Sequence, residues 1–332
     1  MTSLTAPISD RPWWARILAD RDRSSILIIY SLLVAVVLLA GAVSPGFLTL
    51  HHLMDMTKQA TPLIMVTLGQ AVVMLMGNVS LDLSVESVIV LTNVVCTTLF
   101  TRAGVDPFWL MMILVAMAVT IGLINGIGVT VFKIEPFIMT LGMMTILRGA
   151  ALIVSGGTPG GKVPADLVAL VKTRLMGVLP LVTVFWIILA GFIFLALTRT
   201  SFGRKVYLTG SNHRLAFLSG ISPNLVKIMA YVICSTLAMG AGLELTGYIG
   251  TGSVIIGGGF SFMSITAAVI GGISFSGGIG NMLGPVGGAL IMTVLMSLLT
   301  AVNIPQAGRF ILQGVVILLF VTVYSLKDRE NA

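Results

Sequence analysis

Long apolar runs alternate with short polar stretches along almost the whole chain. About 20 apolar residues are enough for a helix to cross a hydrocarbon core of about 30 Å. The pattern therefore predicts an all-α, polytopic membrane protein with about ten transmembrane helices. The predicted helices cover residues 24–43, 61–77, 83–101, 108–132, 137–155, 179–198, 226–249, 261–275, 284–302 and 310–326.

Composition supports this class. Hydrophobic residues make up 57% of the chain, charged residues only 9%, and the mean hydropathy is +1.07. These charged residues are too few to cover the surface of a soluble domain. We therefore expect one membrane domain at 24–326, with cytoplasmic segments at 1–23 and 327–332. The first apolar run, Ser24–Val43, is long and has no small-residue cleavage site. It therefore predicts a retained helix and not a signal peptide.

The basic residues predict an orientation. Ten crossings place both termini on one side of the membrane. If that side is the cytoplasm, twelve of the 19 Lys and Arg residues lie in cytoplasmic segments and six lie outside. This excess predicts cytoplasmic termini. Because the basic residues are spread between apolar runs, the net charge of +7 does not indicate a nucleic-acid partner.

One long polar segment, at about 199–225, interrupts the apolar pattern and is predicted to be cytoplasmic. Gly210 and Ser211 are expected to stop one structured stretch, and Asn212 is a good N-cap for a short helix at 213–219. Gly220 is a good helix stop. This helix carries Leu215 and Leu218 on one face. Two uses are open: docking into a partner's groove, or anchoring on anionic lipid through Arg204, Lys205 and Arg214.

A second polar run, 77–87, lies between two predicted helices. Its carboxylates, Asp82 and Glu86, are four residues apart and would share one face of a helix. Charges at membrane depth usually face a water-filled cavity or a bundle interior. The alternative is structural: Asn78 and Ser80 would cap the third helix, with Asp82 in its first turn. We expect the translocation pathway to pass Asn78, Asp82, Ser84, Glu86 and Asn125.

Other unusual residues have simpler interpretations. Glycines at 280, 284 and 288 have the small-xxx-small spacing of close helix packing, and Gly122 and Gly126 suggest the same. Arg148 and Glu244 are single charges within helices, which favours pairing between helices over contact with a ligand.

Enzymatic chemistry has no support in the sequence. Residues 156–162 match GxxxxGK, but a helix precedes them and no Ser or Thr follows Lys162, so no phosphate loop is predicted. Cys96 and Cys234 lie in apolar runs and are expected to be buried thiols. The three histidines form no metal-ligand pattern, and no nucleophile–base pair is present. We therefore expect no catalytic residue, no metal and no cofactor.

Three ordered motifs resemble the permeases of ribose- and xylose-type sugar ABC importers, whose superfamily also holds branched-chain amino-acid permeases. They are Gly77 with the later Asp82-Leu-Ser-Val, the run 202–221 that begins Phe-Gly-Arg-Lys-Val-Tyr, and Gly271-Gly-Ile-Ser-Phe-Ser-Gly-Gly. The chain departs from the family patterns in four places: two residues are inserted before Asp82, Glu86 replaces a glycine, Ser264 replaces an acid, and 213–215 differ.

The resemblance implies a set of partners. Such a permease has ten helices, works in the bacterial inner membrane and pairs with a second permease chain, identical or different. Cytoplasmic ABC ATPase subunits dock on it, and a substrate-binding protein delivers a sugar or sugar-like polyol. The short helix 213–219 would be the coupling helix. The ATPase-coupling residues would be Gly203, Arg204, Gly210, Asn212, His213, Arg214, Ala216 and Gly220.

Two other functions are compatible with the same features. One is a branched-chain amino-acid-type ABC permease, although the Asp-Leu-Ser-Val signature argues for the sugar group. The other is a stand-alone channel or facilitator, which would need no ATPase.

Overall fold

A computed structural model describes residues 21–315, with side chains from residue 24 onward. The described part is mostly helical, and its two strands, β1 (Arg174–Leu175) and β2 (Leu179–Pro180), form a short antiparallel hairpin. A further helical stretch begins at residue 306. The helices are α1 (Arg21–Val43), α2 (Leu50–Met74), α3 (Val85–Arg102), α4 (Pro107–Thr130), α5 (Pro136–Ser155), α6 (Ala165–Lys172), α7 (Leu181–Arg199), α8 (Ser201–Ser211), α9 (His213–Leu218), α10 (Pro223–Ile249), α11 (Phe260–Ile270) and α12 (Leu283–Ala301).

Seven of the described helices are long and apolar enough to cross a membrane: α1 from Ser24, α3, α4, α5, α7, α10 and α12. Each coincides with a predicted helix, which confirms an all-α polytopic membrane protein. The predicted helix 310–326 lies mostly outside the described residues, as do the segments 1–20 and 327–332. The count of ten and the cytoplasmic termini therefore remain predictions.

Helix α10 lies at the centre of the bundle and packs against α2, α3 and α4. Glycines on α4 allow the close approach: a Cβ on Gly122 would lie 2.5 Å from the Val232 Cα, and one on Gly126 would lie 2.7 Å from the Ile228 Cα. The predicted close packing at these glycines is confirmed. Such contacts bring backbones together where apolar burial provides no driving force between helices.

Helix α2 begins at Leu50, well before the predicted residue 61. The polar residues of its first turns have partners on other elements, so they do not end the helix. Asp55 forms an ion pair with Arg174 on the hairpin, and the Lys58 ammonium lies 5.0 Å from the centre of the Tyr248 ring on α10. These partners are distant in sequence, which is why the apolar pattern alone gave the wrong start.

The connection between the predicted helices 137–155 and 179–198 contains a short helix, α6, that the apolar pattern did not predict. Pro164 precedes this helix and Asp166 lies in its first turn, both typical of a helix start. Helix α6 packs on α10, where a Cβ on Gly247 would lie 2.9 Å from the Leu167 carbonyl oxygen. The loop is therefore folded onto the bundle.

Helix α11 has only 11 residues and is shorter than the predicted span 261–275. It ends where its backbone meets α12: a Cβ on Gly284 would lie 1.8 Å from the Gly271 carbonyl oxygen, and one on Gly288 would lie 2.0 Å from the Ala267 oxygen. Close packing at Gly284 and Gly288 is confirmed. Gly280 lies before α12 begins, so the predicted three-glycine stripe was wrong at that position.

A non-helical stretch precedes α11 and runs along α3; we call residues 250–259 the re-entrant segment. The Asn93 side chain donates to the Thr251 carbonyl at 3.1 Å and accepts from the Ser253 N–H at 2.6 Å. The Gly259 N–H reaches Glu86, seven residues before Asn93 and about 10 Å away along the helix. The chain thus enters the bundle before its helix begins. Irregular backbone at such depth must be buried or line a cavity.

Candidate functional site

Asp82 lies in the turn before α3 and is fully buried. Its Oδ1 accepts hydrogen bonds from the Ser84 N–H at 2.9 Å and from the Ser84 hydroxyl at 2.6 Å. That hydroxyl accepts from the Asn125 amide at 2.9 Å. The Gln70 amide pairs with the Asp82 backbone N–H and carbonyl, both at 3.1 Å. These contacts tie the turn to α2 and α4.

The structure corrects two predictions about this turn. Helix α3 begins at Val85 with Ser84 at its N-cap, so Asp82 lies outside the helix and shares no helical face with Glu86. Asn78 and Ser80 do not cap α3, because the Ser80 hydroxyl donates to the Gly77 carbonyl at 2.6 Å and Asn78 is exposed. Positive φ angles at Gly77, Asn78 and Val79 (71°, 52° and 49°) turn the chain before the helix can start.

Glu86 has partners on two other elements. Its Oε1 accepts from the Arg148 guanidinium on α5 at 2.5 Å, and its Oε2 accepts from the Gly259 N–H at 3.0 Å. Gly259 is the N-cap of α11, with φ of +87°. The carboxylate therefore lies at the positive end of a helix that begins inside the bundle. The predicted pairing of Arg148 between helices is confirmed. Glu244 also makes an interhelix contact, accepting from the Thr61 hydroxyl.

A cavity of about 510 Å³ opens beside this ion pair. Only Glu86 of the predicted pathway residues lines it. Asp82, Ser84 and Asn125 are enclosed by protein, and Asn78 is exposed in its turn. Arg148 and Gln306 also line the cavity but were not among the predicted pathway residues, although a single arginine in an apolar run was a usable signal. The lining residues are Glu86, Val90, Arg148, Leu152, Val254, Ile255, Gly258, Gln306 and Phe310.

The polar segment folds as the two helices α8 and α9. The Asn212 side chain accepts from the Leu215 N–H at 2.9 Å, and Gly220 adopts a φ of +77° just after α9. Both the predicted cap and the predicted stop are confirmed. Gly210 was expected to interrupt the structure, but α8 runs through it to Ser211. Ala216 is buried, whereas Leu215, Phe217 and Leu218 are 60%, 68% and 72% exposed.

Gly210 is instead a point of backbone contact. A Cβ there would lie 1.8 Å from the Leu75 carbonyl oxygen, which accepts from the Gly278 N–H at 3.0 Å. A Cβ on Gly277 would lie 2.3 Å from the Gly77 Cα. We call these five residues the glycine junction. It joins the end of α8 to the turn after α2 and to the turn between α11 and α12.

The remaining predicted coupling residues lie around α8 and α9. Gly203 lets α8 fold back on α7, because a Cβ there would lie 1.8 Å from the Leu197 carbonyl oxygen. Arg204 and Arg214 are exposed. Partial burial, together with the charge of Lys227, lowers the pKa of His213 below its ordinary value. The neutral imidazole is thus favoured beside a basic surface.

Comparisons with known proteins show similarity to permeases along almost the whole chain. Residues 53–321 match the family described as the permease component of branched-chain amino acid transport systems. The ribose import permease protein of Escherichia coli K12 is 32% identical, over 98% of this chain and 99% of that protein. The D-allose transport system permease protein of the same strain is 30% identical over 86% and 87%. Its galactose/methyl galactoside import permease protein is 30% identical over 90% and 94%. No solved structure matches the chain.

Proposed function

Because the chain belongs to the family of permease components of branched-chain amino acid transport systems, and is similar over almost its full length to sugar permeases, we propose that it is the membrane subunit of an ABC importer for a sugar or sugar-like polyol. It transports its ligand without catalysing a reaction. ATP hydrolysis in a partner subunit supplies the energy.

The main support for this proposal is the arrangement of exposed and buried side chains on α9. A soluble surface rarely leaves several large apolar side chains exposed together unless they meet a partner. Here Leu215, Phe217 and Leu218 are exposed on a helix whose other side, at Ala216, is packed against the protein. An amphipathic helix with an outward apolar face fits a groove on another protein. We infer that the ATPase subunit provides that groove.

The glycine junction supports a transmitting role for the same segment. Backbone-to-backbone contacts leave no flexible side chain between α8 and the two turns that it touches. A displacement of α8 by the ATPase would therefore displace the turn that leads to Asp82. We propose that the buried contacts of Asp82 with Ser84 and Asn125 hold the start of α3 in register during this movement.

The remaining partners follow from the family. A second permease chain, identical or related, would complete the pathway, and a substrate-binding protein would deliver the ligand at the outer face. The ligand would pass the cavity beside Glu86, the predicted pathway residue that lines an open space. A bacterial inner membrane is the expected location.

An acidic residue on the exposed face of α9 tests the docking. We expect Phe217→Glu to reduce ATP hydrolysis by the assembled transporter, and ligand uptake with it, at least about tenfold, because a charge would be buried in an apolar contact. The measurement is ATPase activity per folded complex in lipid vesicles. Met176→Glu is the matched control, since this exposed methionine lies on the hairpin next to β1.

Three outcomes distinguish the alternatives. Loss of hydrolysis in Phe217→Glu alone supports the proposal. Unchanged hydrolysis with weaker binding of α9 to anionic vesicles would support the lipid-anchor alternative. ATP-independent uptake by the permease without any ATPase would show a channel or facilitator.

A further inference from the structure

The cavity beside the re-entrant segment is lined by the ion pair of Glu86 and Arg148. We propose that this cavity holds the transported ligand during its passage, with Arg148 donating hydrogen bonds to ligand hydroxyl oxygens and Glu86 positioning Arg148. The inference rests on the proposed function and adds to it a site, a ligand-contacting residue and a basis for ligand selection.

The position of Arg148 is the first argument. It lies 12 residues after the start of α5 and seven before its end, which places it about 18 Å and about 10 Å from the two ends of that helix. Ionisable residues at such depth are costly and usually face a water-filled cavity or a partner. The Arg148 side chain has both, since it pairs with Glu86 and is still 54% exposed.

The second observation concerns the hydrogen bonds that the two carboxylate oxygens of Glu86 accept. One oxygen accepts from Arg148 and the other from the Gly259 N–H. The carboxylate is thus fixed between α3, α5 and the start of α11, with no oxygen left without a protein donor. A guanidinium carries five N–H donors in a rigid fork, and Glu86 accepts one of them. Within residues 21–315 the Arg148 side chain has Glu86 as its acceptor, which leaves the other donors to a ligand in the cavity.

The third observation is that the charges of Glu86 and Arg148 cancel, and this defines the class of ligand. Glu86 and Arg148 are the charged side chains among the described residues that line the cavity, and together they carry no net charge, so this part of the site offers hydrogen bonds without attracting an ion. A sugar acid would be attracted by Arg148 but repelled by Glu86, and it would lose its hydration inside the membrane. A zwitterionic amino acid would bring its ammonium group beside the positive charge of Arg148, and the carboxylate of Glu86 that could balance it is already paired with that arginine. The site therefore favours an uncharged polyol.

The remaining walls fit such a ligand. Gln306 offers an amide donor and acceptor, while Val254 and Phe310 offer apolar surface for the C–H face of a sugar ring. A volume of about 510 Å³ lies within the usual range for small-molecule sites.

Cysteine labelling tests the site without a binding protein. Leu152→Cys lines the cavity, and Ile146→Cys lies on the same helix, is 64% exposed and does not line it. Both are made in a full-length chain with Cys96→Ala and Cys234→Ala. Anionic and cationic methanethiosulfonate reagents of similar size are used on the transporter in vesicles. We expect labelling at Leu152→Cys, and little at Ile146→Cys.

The ratio of anionic to cationic labelling rates reports the charge of the cavity. Glu86→Gln should raise this ratio at Leu152→Cys at least about fivefold, and Arg148→Gln should lower it by a similar factor, as expected for one unit charge within several ångströms at intermediate dielectric. Thr145→Ala on the same helix is the control and should leave the ratio unchanged. Equal ratios in all variants would overturn the proposal.

Ligand protection tests the contact with Arg148. The probes are D-ribose, D-allose and D-galactose, with D-galacturonate and L-leucine as charged comparisons. At least one neutral sugar should slow labelling of Leu152→Cys about threefold or more, and Arg148→Met should abolish that protection. Protection by L-leucine or galacturonate instead, or protection that survives Arg148→Met, would overturn the inference. Uptake of a neutral probe by the permease without any ATPase or ATP would refute the proposed function separately, whatever the labelling ratios.

Discussion

At the scale of single residues, the two carboxylates of the 77–87 run have different tasks. Asp82 is enclosed by protein and accepts hydrogen bonds from Ser84, the residue at the N-cap position of α3. Glu86, four residues further on and inside the helix, holds Arg148 at the edge of a cavity. Nearness in sequence therefore does not imply a shared role, because the helix begins between them.

Two replacements of Asp82 distinguish the contribution of its hydrogen-bond acceptor to stability from the contribution of its negative charge. Asp82→Asn keeps an Oδ1 that can accept from Ser84, so we expect wild-type folded yield within about twofold. Asp82→Ala removes that acceptor and should destabilise the protein by about 1–3 kcal/mol, because buried donors lose their partner. The measurement is the midpoint of thermal aggregation in detergent for both variants. Equal loss in the two variants would mean that the negative charge itself is required.

At the scale of elements, apolar periodicity predicted the long helices well. It failed wherever a distant partner decides the structure. The polar start of α2 is helical because Asp55 and Lys58 meet Arg174 and Tyr248. The stretch 250–259 before α11 is non-helical, and Asn93 and Glu86 supply hydrogen bonds to its backbone.

The candidate site was predictable to a similar degree. Asn212 and Gly220 follow local capping rules, and the structure has both features at those positions. The pairing of Glu86 with Arg148 joins residues 62 apart, and its cavity needs Gln306 from the far end of the chain. Spacing along one helix contains no information about such contacts.

Substitution of Gly210 tests the connection between elements. Gly210→Ala would place a Cβ 1.8 Å from the Leu75 carbonyl oxygen, so the two backbones must separate. We expect a loss of about 3 kcal/mol or partial uncoupling of ATP hydrolysis from uptake. Gly142→Ala is the control, since its Cβ would meet no atom within 4 Å. If both variants unfold at the same temperature and transport equally per ATP, the glycine junction has no mechanical role.

At the scale of the whole molecule, the contacts sort the connecting segments into two groups. The polar segment meets the turns at 75–77 and 277–278, all predicted to be cytoplasmic. The Arg102 guanidinium donates to the Ser155 carbonyl at 3.0 Å, and the Lys162 N–H donates to the Thr101 hydroxyl at 2.6 Å, all predicted to lie outside. This grouping agrees with the predicted division of these segments between the two sides of the membrane, and the basic residues predict which of the two sides is the cytoplasm.

Labelling from each side of the membrane tests that orientation. In a chain with Cys96→Ala and Cys234→Ala, Ser211→Cys should react with an impermeant thiol reagent only from the cytoplasmic side. Thr158→Cys should react only from outside, because the excess of Lys and Arg places the polar segment within the cell. The measurement is labelling of intact cells and of inverted vesicles. A reversed pattern would show that the orientation in the membrane is opposite to the predicted one. Labelling of both positions from one side would refute the predicted number of helices.

The glycine junction also bears on how such permeases acquire new partners. Its connection uses backbone atoms, whereas the proposed recognition of the ATPase would use the side chains that α9 presents outward. The two can therefore diverge independently. Transplanting the hexapeptide His213–Leu218 from one relative to another should exchange the cognate ATPase while leaving the interior of the recipient bundle unaltered.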